Sequence, residues 1–221
     1  MIERKTLEAR AADELRNDLM SGQVLCGERL TEVGLRERLG VSRGTVRSAL
    51  HALESEGLVR SEAYTGWHAR SFSLNDVVEL ATVRGALDGL AAELAATSIT
   101  PNGRELLERA LAAFPVDPST DPGSQVMTDS DIGLHRTILE LSGNRLLGSH
   151  YQHLSGQMQL LVASANRDGM TITEIASQHQ PIVEAISGGE SSRARALAEA
   201  HGRESGEALI GAITANGGDH S

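Results

Sequence analysis

Aromatic residues are scarce in this 221-residue chain: two Phe, two Tyr and one Trp make up 2% of it. A core must then be built from Leu, Ala, Val and Ile, which favours helices over a β-sandwich. Cysteine is rarer still. The only one, Cys26, excludes an internal disulfide and agrees with a reducing compartment. No run of 18 or more apolar residues occurs, so no membrane-spanning helix is expected. The opening MIERKTLEARAADELR is charged and amphipathic and lacks the apolar core of a signal peptide. A cytoplasmic protein with no membrane partner is the expectation. Positive charge is also short, with 20 Lys+Arg against 30 Asp+Glu and a net charge of −10. That balance argues against a nucleic-acid partner only until it is divided along the chain. Residues 1–72 hold 11 Lys+Arg and 11 Asp+Glu, so the whole excess of negative charge lies in residues 73–221. Arg36, Arg38, Arg43 and Arg47 crowd into one short stretch with only Glu37 opposing them, and local clustering matters more to nucleic acid than global charge. Two halves of different electrostatics predict two domains, 1–72 and 73–221.

Residues 4–21 read as a helix, with Leu7, Ala11, Leu15 and Leu19 on one stripe. Thr31 is placed to cap a short helix running to Leu39, and Gly40 supplies the turn that follows. Ser42 caps a third helix ending near Glu56-Gly57. On it Val46, Ala49, Leu50 and Leu53 recur at helical spacing and should face a core. Leu58-Val59-Arg60 and Trp67-His68-Ala69-Arg70 are short strand candidates around the turn Ala63–Gly66. Three helices and a two-stranded ribbon make a winged helix-turn-helix. Beyond Ser73 the pattern is entirely helical, with helices predicted at about 74–97, 101–114, 128–142, 144–166, 171–187 and 190–214. Three of the five prolines fall between Pro115 and Gly123, which reads as a loop. The fold class is therefore mainly α: a winged helix-turn-helix followed by an antiparallel bundle of about six helices.

In a helix-turn-helix the second helix enters the major groove, and its N-terminal residues meet base edges. Here those are Ser42, Arg43, Gly44, Thr45 and Arg47. Arg43 and Arg47 lie one turn apart on the face opposite Val46 and Leu50, so both can reach DNA together. An arginine forked onto guanine discriminates by about 1–3 kcal/mol. Ser42 and Thr45, at the helix start, suit phosphate. The first 70 residues closely resemble the N-terminal domain of the GntR family of bacterial transcription regulators. The resemblance is carried by Gly27–Leu30, Leu35, Leu39–Arg43, Val46-Arg47, Ala49-Leu50, Leu53, Glu56–Val59 and Gly66. It implies that Arg43 and Arg47 read bases, Ser42 and Thr45 touch the backbone, and Gly66 brings the wing to the minor groove. Departures fall at Cys26, Val33, Gly44-Thr45 and Ser48; they bear on which operator is read.

The second half carries Asp131 and His135 one helical turn apart, His179 between Ile175 and Ile182, and His201 in the last helix. Side chains at i and i+4 share a helix face, so three imidazoles and one carboxylate on three helices could face a common interior. Taken singly, each histidine reads more simply as a surface or singly satisfied residue, which is the reading given to His51, His68, His150, His153 and His220. This half resembles the all-helical FCD ligand-binding domain of the FadR subfamily over roughly residues 74–207. The matching residues are Val83-Arg84, Ala91-Ala92, Asp131 and His135, Ser142–Asn144, His179 with Ala185-Ile186, and Ala198 with His201. Leu134 stands where the family usually has Phe. The resemblance implies a metal site at Asp131, His135, His179 and His201. Imidazole ligands suit zinc first, with nickel, cobalt or iron(II) as alternatives. Arg84 could fork onto the carboxylate of a small organic acid, or form a salt bridge with Asp88 one turn on.

The reading is a homodimeric, ligand-responsive regulator, a repressor, that binds a pseudo-palindromic double-stranded DNA operator and is not an enzyme. Two rivals remain open at this point. One is a metal-sensing regulator without an organic effector; the other is a metal-dependent hydrolase using the same Asp/His set to activate water.

Overall fold

The computed structural model of the chain describes residues 5–115, 117, 124–164 and 172–215. Among these residues lie nine helices and one three-stranded sheet, grouped into two compact units. The first unit comprises the residues up to Ser73 together with His153–Ser164, and the second holds Leu74–Gln152 and the described part of residues 165–219.

In the first unit each helix begins where a hydroxyl satisfies a free N–H. Thr6 starts α1 (Leu7–Met20), Thr31 starts α2 (Glu32–Leu39) and Ser42 starts α3 (Arg43–Ser55), each side chain accepting from the backbone N–H three residues on. Such a cap contributes about 1 kcal/mol. Gly40 ends α2 at φ 66, a left-handed conformation that costs glycine nothing. Ala11, Ala12, Leu15 and Leu19 of α1 pack inward with Val46, Ala49, Leu50 and Leu53 of α3. Arg16 forks onto Glu56, with Nε to Oε2 at 2.9 Å and Nη2 to Oε1 at 2.7 Å, tying α1 to the end of α3. The ribbon gains a third strand. β1 (Arg29–Leu30) pairs antiparallel with β3 (Gly66–Ala69), which also pairs with β2 (Val59–Glu62), in the order β1-β3-β2. Two residues are too few to show alternation, but Leu30 opposes Trp67 across the ladder and both are buried. The β2–β3 turn carries Tyr64 at φ 69 and Gly66 at φ 92.

The second unit is built from α4 (Leu74–Thr97), α5 (Pro101–Ala112), α6 (Gln125–Leu141), α8 (Ile172–Ser187) and α9 (Ser191–Ala215), with the first turns of α7 (Arg145–Ser164). Six helices after Ser73 match the predicted number among the described residues. α6 begins three residues earlier than predicted because the Ser124 hydroxyl accepts from the Met127 N–H. Most of the predicted 115–123 loop, and the predicted ends of α7 and α8 at 165–166 and 171, lie outside the described residues.

α4 and α9 touch backbone to backbone. A Cβ on Gly202 would sit 2.5 Å from Gly85 Cα, and one on Gly206 would sit 2.5 Å from Ala81 Cβ. Glycine is required there for closeness. Around this seam Ala91, Ala92, Ala95, Leu107, Leu134, Ile138, Ile182, Val183, Ile186 and Ala198 form one core. Each large aliphatic side chain so buried is worth about 1.5–3 kcal/mol. The consequence for function is rigidity, because α4, α6, α8 and α9 present their inward polar residues from a close-packed frame.

Candidate metal centre and DNA-reading helix

α3, the candidate reading helix, starts at a hydrogen-bonded corner. Ser42 Oγ accepts from the Thr45 N–H at 3.1 Å and lies 2.9 Å from Thr45 Oγ1. Thr45 is buried, with its hydroxyl turned to Ser42 and the corner supporting the helix from within. Arg43 and Arg47 project outward, with side chains 69% and 56% exposed. Both meet one carboxylate. Glu32, the first residue of α2, lies 2.6 Å from Arg43 Nε through Oε2 and 3.1 Å from Arg47 Nε through Oε1. The hydrogen bond with Arg43 first, and that with Arg47 second, hold the Glu32 carboxyl below the usual carboxylate range. An open groove brings together Thr31, Glu32, Val33 and Arg43 with Thr65 and Gly66 of the wing turn. Glu32 had no signal of its own in the sequence, because its partners stand 11 and 15 residues further along.

In the second unit, Asp131 and His135 of α6, His179 of α8 and His201 of α9 come together. One potential ligand atom from each lies within 4.8 Å of all the others. The three imidazole centroids are 5.4, 5.6 and 4.4 Å apart. All three histidines are buried, His179 to 1% exposure. His179 Nε2 is 3.1 Å from Asp131 Oδ1, and His135 Nε2 is 3.9 Å from the same oxygen. His135 Nε2 and His201 Nδ1 are buried with no hydrogen-bond partner among the described residues, although buried polar atoms are otherwise nearly always paired. Burial first, then the neighbouring His179 and His135, hold His201 well below the usual histidine pKa, so it stays in the neutral form that binds metals. Burial alone would raise the Asp131 carboxyl. The His179 hydrogen bond and the charges of His135, His179 and Arg84 instead bring it well below its ordinary value. Imidazole nitrogens gathered around an ionised carboxylate are the donor set a divalent cation needs.

Arg84 stands next to this cluster on α4, buried to 8% exposure. Its Nε is 3.3 Å from Asp88 Oδ2 and its Nη2 is 3.8 Å from Asp131 Oδ2. It also bonds to Tyr151 of α7. The salt bridge to Asp88 weighed from the sequence is therefore present, and it sits beside the metal-ligand candidates. Asp88 goes further: its Oδ1 is 3.2 Å from His135 Nδ1. The remaining described histidines stay apart from the cluster. His51 meets Glu54 and the edge of Trp67, His68 approaches Glu62, and His150 and His153 are exposed. His220 lies outside the described residues.

Comparison with known proteins settles the class. Residues 7–68 match the family of bacterial regulatory proteins called gntR, and residues 79–204 match the FCD domain. The chain belongs to the GntR family, with an FCD domain behind its winged helix. A probable D-xylose utilization operon transcriptional repressor of Paenarthrobacter nicotinovorans is 26% identical over 189 residues, covering 86% of this chain and 82% of that protein. The transcriptional regulator LutR of Bacillus subtilis is 26% identical over 204 residues, covering 83% and 92%. Among solved structures, Escherichia coli McbR/YncC superposes with a TM-score of 0.77 at 18% identity, over 94% of this chain and 99% of that one. This GntR-family chain is thus a DNA-binding transcription regulator and not an enzyme, which removes the hydrolase alternative. Among its described residues no helix is long and apolar enough to cross a membrane.

Proposed function

We propose that this regulator is a cytoplasmic homodimeric repressor whose FCD domain holds a divalent metal ion and a small organic acid. The DNA-binding domain spans residues 1–72 and the effector domain residues 73–221. Asp131, His135, His179 and His201 are the metal ligands; zinc suits this set best, and nickel, cobalt or iron(II) would also be accepted. The carrying observation is the pair of buried imidazole nitrogens, His135 Nε2 and His201 Nδ1, that have no hydrogen-bond partner among the described residues. Leaving such atoms bare costs about 1–3 kcal/mol each, and a cation would satisfy both. A bound metal would supply Lewis acidity toward the oxygens of a carboxylate effector. Arg84, buried beside Asp131, would supply the opposite charge for the same group. Arg43 and Arg47 read base edges, Ser42 and Thr45 form the helix start against the phosphates, and Gly66 lets the wing turn approach the minor groove of a pseudo-palindromic operator. The effector changes operator affinity by binding the two conformations of the dimer unequally.

Elemental analysis of the purified protein, with mass spectrometry of the small molecules it retains, tests this reading. The expected result is stoichiometric divalent metal in the wild type and none in His135→Ala. Stoichiometric metal retained by His135→Ala, or none in the wild type after growth with ample metal, would overturn it. Titrating metal alone against operator binding separates an organic-acid sensor from a regulator that senses only the metal.

A further inference from the structure

We propose that Asp88 is the positioning residue of the metal centre: it fixes the tautomer and aim of His135 and ties that ligand to Arg84. The inference rests on the metal reading above and adds a residue to it. Asp88 is 4% exposed, and a carboxylate is kept so deep only where both oxygens are engaged. Its two oxygens go to different partners, Oδ1 to His135 Nδ1 at 3.2 Å and Oδ2 to Arg84 Nε at 3.3 Å.

An ionised carboxylate only accepts hydrogen bonds, so the His135 proton belongs on Nδ1. The lone pair is then left on Nε2, which is the nitrogen without a hydrogen-bond partner among the described residues and the one on the Asp131 side. Without Asp88 the proton could move to Nε2, where it would block coordination. Outer partners of this kind orient metal-bound histidines and strengthen them as donors.

The frame that presents Asp88 is stiff. Asp88 lies between Gly85 and Gly89, the two α4 residues pressed against Glu199 and Gly202 of α9. Nor can Arg84 stand in for it, since a guanidinium donates hydrogen bonds and accepts none. Remove Asp88, and Arg84 is left with Asp131, 3.8 Å from its Nη2, as its remaining carboxylate. A ligand is then drawn away from the cluster. Asp88 thus supports two ligands, one directly and one by occupying Arg84.

The test measures zinc affinity of the full-length protein by chelator competition, in the wild type, Asp88→Asn and Asp88→Ala. Nitrogen NMR of the metal-free proteins reports the His135 tautomer alongside. Asp88→Ala should bind zinc about 10–100-fold more weakly and lose its preference for the Nδ1–H tautomer. Asp88→Asn keeps the shape and one accepting oxygen and should fall between. Should the alanine variant fail to fold, the asparagine variant carries the comparison. Zinc affinity within twofold of wild type in the folded variants, or an unchanged tautomer, overturns the role of Asp88. A wild type that binds no zinc overturns the metal reading itself, while the tautomer of the metal-free protein still judges Asp88.

Discussion

Two arginine–carboxylate groups in this regulator share a chemistry and differ in their surroundings. On α3, Arg43 and Arg47 converge on Glu32, whose own side chain is 14% exposed, with their side chains more than half exposed. In the bundle, Arg84 converges on Asp88 and Asp131 with its side chain 10% exposed. Exposed ion pairs contribute about 0–1 kcal/mol, because water competes for both partners. Their members can therefore let go of one another at little cost. Buried groups cannot, since removing one member leaves the others charged and unhydrated, at about 3–5 kcal/mol. The first group is suited to exchange partners, and the second to hold a site open in one shape.

Arg84→Met should destabilise the metal-free protein by about 3–5 kcal/mol, lowering Tm by roughly 6–20 °C. A calorimetric scan in which it melts with the wild type would show that Arg84 supports nothing. Arg43→Ala is the counterpart. It should leave Tm unchanged while weakening binding to the preferred operator by about 1–3 kcal/mol and relaxing sequence preference at one position. An unaltered preference in a selection from random duplexes would remove Arg43 from base reading.

His201 has its folded pKa depressed by burial and by the neighbouring histidines, so as pH falls the unfolded chain takes up a proton that the folded metal-free protein refuses. Stability is complete above the unfolded value near 6.5 and declines below it, by at most about 1.4 kcal/mol per pH unit for one group. The carboxyls of Asp88 and Asp131 are lowered from 3.8, so their contributions are lost only at more acid pH. Denaturant melts of the metal-free wild type between pH 7 and 5 should show a slope that His201→Gln lacks. Equal slopes would place the titration elsewhere.

What could be read from the sequence follows the range of each interaction. Thr31 and Ser42 are legible as caps because the N–H each satisfies is three residues away. Asp131 and His135 are legible as one helix face for the same reason. No spacing rule connects them to His179 or His201, which join the cluster only through the packing of α6, α8 and α9; there the family resemblance supplied what local pattern could not. Asp88 was visible only as the neighbour of Arg84, since its other partner stands 47 residues away. β1 escaped because two residues show no periodicity, and its existence depends on Trp67 across the ladder.

The smallest effect separates the two groups most sharply. Glu32 is the negative member of the first group, and it lines the groove shared by Arg43 and the wing turn. Replacing it with Gln should change stability by less than about 1 kcal/mol. Its depressed carboxyl gives stability that is present above the ordinary value of 4.5 and lost on acidification below it, so near neutral pH the variant forgoes only that small term. On DNA the variant should do two opposite things. Loss of a negative charge strengthens the attraction to phosphates, raising affinity for nonspecific duplex. Loss of the carboxylate that holds Arg43 and Arg47 side by side makes both guanidiniums pay more ordering entropy on reaching the bases. The ratio of specific to nonspecific affinity should therefore fall even if tight binding persists. Fluorescence anisotropy with the preferred operator and a scrambled duplex at several salt concentrations measures both terms. A ratio unchanged by Glu32→Gln would mean that the arginines find their geometry on the DNA itself, and that the ion pairs on the free protein organise nothing.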